Sequence, residues 1–151
     1  MRRCKPYFVT ILCASAFACA SAPHSIAATS SVTAPSTAGA LARIYYWRAK
    51  AGKLDEYSRY VRDIAEPIDH EAQRTGAFLS VSTLVSRDPA SPWTHMRMFV
   101  LRDSAQLAAL SDALAAAGIR LEPDSVRRRV RGEYSATLRD RVGDATVELL
   151  R

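Results

Sequence analysis

The stretch Leu41-Ala42-Arg43-Ile44-Tyr45-Tyr46-Trp47-Arg48-Ala49-Lys50 decides the fold. Side chains alternate along a strand, so Tyr45 and Trp47 fall on one face and Ile44 and Tyr46 on the other. Both faces are bulky and apolar, the pattern of a strand covered on each side. Ala51-Gly52 turns the chain into Lys53–Thr75, where Leu54, Tyr57, Val61, Ile64 and Ile68 form one helical stripe. Gly76 stands where a left-handed helix cap is wanted. Pro67 lacks an N–H and crowds the preceding turn, which predicts a kink with the stripe still in register from Ile64 to Ile68.

Working outward, Ala77–Ser86 and Trp93–Arg102 alternate as strands around the loop Arg87–Pro92 and should form an antiparallel hairpin. Trp93, His95, Arg97, Phe99 and Leu101 share one face of the second strand; Thr94, Met96, Met98 and Val100 share the other. Asp103 with Gln106 has the spacing of a capping box. The helix it opens should bury Leu107, Leu110 and Leu114 and end at Gly118. A third helix is expected from Pro123 or Asp124 to about Arg141, with Val126, Val130, Tyr134 and Leu138 as its apolar residues. Gly143-Asp144 then turns into a last strand, Ala145–Leu150. Strand–helix–strand twice over is the split βαβ order, so the expected class is α+β: a ferredoxin-like βαββα(α)β fold with a four-stranded antiparallel sheet and its helices on one face. The other face is bare. Tyr45 or Tyr46, Trp47, Phe99 and the methionines are too apolar for an open surface, which predicts a homodimer with two sheets face to face, a dimeric α/β barrel.

Upstream, Met1–Lys5 is basic, Tyr7–Ala22 is apolar and uncharged, and Ser25-Ile26-Ala27 offers small residues at minus three and minus one. This is the layout of a signal peptide over residues 1–27. Its apolar core is shorter than the roughly 20 residues of a membrane span. Cleavage there removes Cys4, Cys13 and Cys19, which excludes a disulfide scaffold, cysteine-ligated zinc and a cysteine nucleophile from the mature chain. Lipid attachment at Cys19 is the competing reading, but Ala16 stands at minus three, where leucine is usual. The expectation is export, periplasmic or extracellular, with no integral membrane segment after cleavage. Residues 28–40 are uncharged Ser, Thr, Ala, Pro and Gly apart from Val32, the composition of a disordered linker. The folded domain is then 41–151. Losing Arg2, Arg3 and Lys5 lowers the net charge from +6 to +3, which gives little support for a nucleic acid partner. The basic run Arg127–Arg131 reads as a solvated helix face answered by Glu122, Asp124 and Glu133; an anionic lipid or phosphate-rich partner is the alternative.

Ile44-Tyr45-Tyr46 followed by Lys50-Ala51-Gly52-Lys53-Leu54-Asp55-Glu56-Tyr57 resembles the dimeric α/β-barrel superfamily. That group includes antibiotic-biosynthesis-type monooxygenases, heme-degrading oxygenases, muconolactone isomerases and NIPSNAP-like proteins. The resemblance runs from Ala42 to about Leu114 and takes in the closing strand. Ala51 replaces the usual proline, and Gly118–Gly143 is longer than the family's minimum. The resemblance implies a ligand pocket between sheet and helices. It also implies that a heme, if there were one, would take His70 or His95 as axial ligand. No cofactor is otherwise expected.

His95 and Arg97, on one strand face, are the candidate catalytic pair. Tyr45, Trp47 and Trp93 are candidate walls for a small apolar or aromatic ligand, although core or dimer packing explains them equally. His70, in Asp69-His70-Glu71, is a candidate base oriented by a carboxylate, but it falls half a turn from Val61, on the solvent side. Three histidines, one of them in the leader, do not make a metal cluster. There is no Gly-rich phosphate loop, Ser-His-Asp spacing or zinc signature. Three functions follow: a ligand-binding domain, a cofactor-independent monooxygenase or isomerase, or a pocketless module of the cell envelope. A cavity reaching His95 favours the first two.

Overall fold

A computed structural model of the chain describes residues 39–150. Residues 1–38, with the expected signal peptide 1–27 and all but the last two residues of the expected linker 28–40, lie outside the described residues. The elements are β1 (Leu41–Ala49), α1 (Leu54–Tyr60), a π-helical segment (Val61–Ala65), α2 (Glu66–Arg74), β2 (Ser80–Val85), β3 (His95–Leu101), α3 (Ser104–Leu121), α4 (Ser125–Leu138) and β4 (Arg139–Glu148). The sheet order is β2-β3-β1-β4, and every neighbouring pair is antiparallel. This is the expected ferredoxin-like topology. No helix among the described residues is long and apolar enough to cross a membrane.

Register fixes the faces. Leu41, Arg43, Tyr45 and Trp47 lie opposite Leu101, Phe99, Arg97 and His95. All four of these β3 residues are buried under the helices. Phe99 and Leu101 form the main core with Phe78, Ala72, Leu110 and Ala117; Tyr57, Val61 and Leu138 form a second, with Trp47 packed against it. Each such leucine or phenylalanine stabilises the fold by about 1.5–3 kcal/mol. The bare face carries Ile44, Tyr46, Met96, Met98 and Val100 instead. The expectation for that face is therefore corrected in part. Trp47 and Phe99 cannot share it with the methionines, because alternation puts them on the opposite side.

The expected kink at Pro67 is a π-helical segment. The Glu66 N–H donates to the Val61 carbonyl, five residues back, so the wider turn absorbs one extra residue. Val61 and Asp69 are eight apart and would sit about 80° from each other on a straight α-helix. With one residue absorbed they share a face, and both are buried. Asp69, not Ile68, therefore looks onto the sheet. Pro67 falls in the first turn of α2, where its missing N–H would have been unused.

Gly76 has φ +82° and caps α2 as expected, its N–H donating to the Gln73 carbonyl at 2.8 Å. The Asp103 carboxylate accepts the Gln106 N–H at 2.9 Å, and Gln106 Oε1 accepts the Arg102 N–H at 2.7 Å. α3 does not end at Gly118 but runs on to Leu121. Gly118 is buried beside the Ile68 side chain, which a Cβ there would meet at 3.9 Å, an ordinary contact. α4 stops at Leu138, and β4 begins six residues earlier than expected. Arg139, Asp140 and Arg141 pair with Ala49, Arg48 and Trp47, and a bulge then steps past Val142. Val126, Val130 and Tyr134 are exposed, and only Leu138 of that expected stripe is buried. A spacing of four drifts about 40° per step, so Val126 lands about 120° from Leu138. The basic run pairs with the acids expected: Arg131 with Glu122 at 3.6 Å, Arg127 with Asp124 at 3.7 Å, Arg129 with Glu133 at 3.6 Å.

Candidate functional site

Two central strands and three helical elements bring the candidate residues together. β3 directs Arg97 under the helices, and the π-helical segment turns Asp69 to meet it. The two form an ion pair with only 8% and 2% of their surfaces exposed. Burial lowers the Arg97 pKa, while nearby Tyr57 and Glu66 raise it. The guanidinium carbon also lies 5.5 Å from the centre of the Phe99 ring.

His95 is fully buried. Its Nε2 lies 3.0 Å from Ser58 Oγ and its Nδ1 3.0 Å from Thr94 Oγ1. The Ser58 hydroxyl donates to the Leu54 carbonyl at 2.7 Å. That leaves Nε2 to carry the imidazole proton and Nδ1 to accept from Thr94. The Tyr57 ring stands edge-on to the imidazole at 4.3 Å. Burial, with Arg139 behind it, holds the His95 pKa down at about 4. Burial pushes the Tyr57 phenol up to about 12.

A cavity of about 260 Å³ lies between the sheet and α3, lined by Tyr45, Trp47, Arg97, Phe99, Ser111, Leu114 and Arg141. Tyr45 packs on Trp47 at 5.6 Å and edge-on to Phe99 at 5.9 Å. A second cavity of about 200 Å³ is lined by His95 with Ser58, Val61, Arg62, Glu66, Thr83 and Val85.

Tyr45, Trp47 and Arg97 therefore converge on one site, while His95, two residues along β3, lines the second cavity. Trp93 does not join either. It precedes the first residue of β3, where strand alternation no longer holds. It packs on the bare side against Tyr46 at 6.2 Å, in a recess with Pro92 and Val142. His70 is exposed on α2 and lines neither cavity. Asp69, Arg141 and Ser111 were missed. Asp69 had a usable signal, because an inward-facing arginine on a central strand requires a carboxylate from the helix above it.

The residues do not fit a heme. Both His95 nitrogens are engaged by hydroxyls, and His70 stands at no cavity. Among the described residues no three His, Cys, Asp or Glu side chains gather to hold a metal ion.

No family model and no curated protein matches the chain. Two solved structures are similar to it. HapK from Hahella chejuensis shares 10% identity, covers 73% of this chain and 92% of its own, and superposes with a TM-score of 0.49. A dimeric protein of unknown function and ferredoxin-like fold from Bacteroides fragilis shares 12% identity over 74% of this chain and 95% of its own, with a TM-score of 0.47.

Chemically, the cavity beside Tyr45 offers aromatic walls, guanidinium donors and the hydroxyls of Tyr45 and Ser111. It holds no group that exchanges a proton near neutral pH, since arginine stays charged there and the imidazole lies elsewhere.

Proposed function

We propose that the protein is an exported, homodimeric binding domain that holds a small aromatic or apolar molecule between its sheet and α3. The cavity lined by Tyr45, Trp47, Phe99 and Leu114 carries this reading. Its aromatic walls are joined by the polar groups of Arg97, Ser111 and Arg141, and a concave site with a few placed polar groups is the usual form of a small-molecule pocket. The basic, apolar and small-residue leader supports export, and the apolar bare face of the sheet supports the dimer. Binding is favoured over turnover because His95 lies outside this cavity and both its ring nitrogens are engaged by Ser58 and Thr94.

Tryptophan fluorescence tests the site. In a Trp93→Phe variant the signal comes from Trp47 alone, and aromatic ligands should quench or shift it. Leu114→Phe in the same background should fill the cavity and abolish the response while the fold stays intact. A Trp47 signal indifferent to every aromatic ligand, or unchanged by filling, would refute the pocket. Aromatic quinols under air should remain unreacted; turnover would revive the monooxygenase reading. N-terminal sequencing of the exported chain should begin at Ala28, and a retained leader would refute export.

A further inference from the structure

We propose that the molecule held in this cavity is an anion, an aromatic or apolar carboxylate whose charged end meets the arginines of β1, β3 and β4. The proposal rests on the binding reading above and adds the ligand's charge.

Charge is the first reason. On the helix-facing side of the sheet Arg97 and Arg141 line the cavity, and Arg43 and Arg139 lie over two of its walls, Tyr45 and Trp47. Two carboxylates pair with them. Asp69 is committed to Arg97. Asp144 is shared between Arg43 and Arg141, at 2.6 Å from the latter. Arg139 donates to Ser135 Oγ at 3.1 Å and lies over the Trp47 ring at 4.7 Å, with no carboxylate partner among the described residues. Glu66 belongs to the second cavity, with His95. Four guanidinium groups against three carboxylates, Glu66 included because it acts on Arg97 from the second cavity, leave positive charge in partly dehydrated surroundings, where an anion is favoured and a cation excluded.

The second reason is independent of charge. Trp47 Nε1 and Arg97 Nε are buried donors with no acceptor, and both side chains line the cavity. Buried donors in folded proteins nearly always find a partner, and a small turn of Trp47 or Arg97 would present its donor to the acceptor atoms of a ligand in the cavity. The third is shape. Tyr45 is bracketed by the Arg43 and Arg141 guanidinium carbons at 5.1 and 5.0 Å from its ring centre. An aromatic ligand stacked beside Tyr45 therefore meets cations at its rim. Arg141 is half exposed and bonds Asp144 through Nη2, and turning from Asp144 to a ligand carboxylate would let it use the two-pronged geometry that arginine favours.

Calorimetric titration of the purified protein with benzoate and naphthoate, each against its neutral amide, tests the proposal. The acids should bind at least about tenfold more tightly than the amides, one decade of affinity for the charge. Raising the salt concentration should narrow the gap. Arg141→Gln should remove most of the preference for the acid over its amide, with circular dichroism and urea unfolding showing that the fold survived the substitution. Equal affinity for acid and amide would overturn the anion and leave the pocket standing. Binding of neither would overturn both. A preference for the acid that persists in Arg141→Gln and in Arg43→Gln alike would overturn the assignment to these arginines.

Discussion

Arg97 is held by a single carboxylate brought from another element, and that makes Asp69 the most exacting residue of the fold. Removing one partner of a buried ion pair leaves the other charge dehydrated and alone. Asp69→Asn should cost about 3–5 kcal/mol in urea unfolding, and replacing both partners together, Asp69→Leu with Arg97→Met, should recover most of it. If Asp69→Asn unfolds like the parent, the pair contributes nothing. His95 makes a second prediction at this scale. Its pKa is near 6.5 in the unfolded chain and about 4 in the fold. Between those values the unfolded chain binds a proton that the native protein does not. Stability therefore falls as pH drops from about 6.5 to about 4, by about 3 kcal/mol in all, and is flat for this residue above that window. His95→Gln cannot titrate, so the stability difference between parent and variant should shrink from about pH 7.5 to about pH 4.5; a constant difference would show the imidazole protonating freely in the fold. Tyr45, Trp47 and Arg97 were legible from the sequence because a strand's period of two is rigid. The hydroxyls that seal His95 were not all so. Thr94 is adjacent in sequence, but Ser58 reaches it only through the packing of α1 on β3.

Elements were legible where their period was regular and illegible where one residue was gained or lost. Inside Val61–Ala65 the extra residue moves Asp69 onto the face that the spacing gives to Ile68. At the C-terminal end, Arg139-Asp140-Arg141 continues the charge pattern of α4. No local signal marks that it pairs with β1, where the Lys50 N–H takes the Leu138 carbonyl at 2.9 Å. The π-helical segment gives the element-scale prediction. It absorbs a residue, so deleting exposed Arg62 should restore a continuous α-helix without turning Asp69 away from Arg97. That continuous helix would carry Pro67 in its interior, at a cost of about 3 kcal/mol. The deletion should therefore destabilise by about that amount on its own and by less than about 1 kcal/mol when combined with Pro67→Ala. Chemical denaturation of the two variants decides it. If Pro67→Ala gives no rescue, the proline is not what the wide turn accommodates.

The described residues form one sheet with helices on only one side of it. The other side presents Ile44, Tyr46, Met96, Met98 and Val100 from the two central strands, with Leu84 and Val147, more than a third exposed, on the flanking strands. An apolar surface of this extent calls for a partner, and a second copy offers the matching face. Stable pairing buries about 1,200–2,000 Å² in total, within reach of two such sheets laid together. Sedimentation should therefore show a dimer at micromolar concentration. Met98→Glu, placing a charge near the middle of the joined faces, should yield a folded monomer. The cavity beside Tyr45 lies on the opposite side of the sheet, so that monomer should still bind an aromatic ligand, and loss of binding would mean that the partner completes the site. A parent protein that sediments as a monomer, or a Met98→Glu variant that stays dimeric, would show that this face is not where two copies meet.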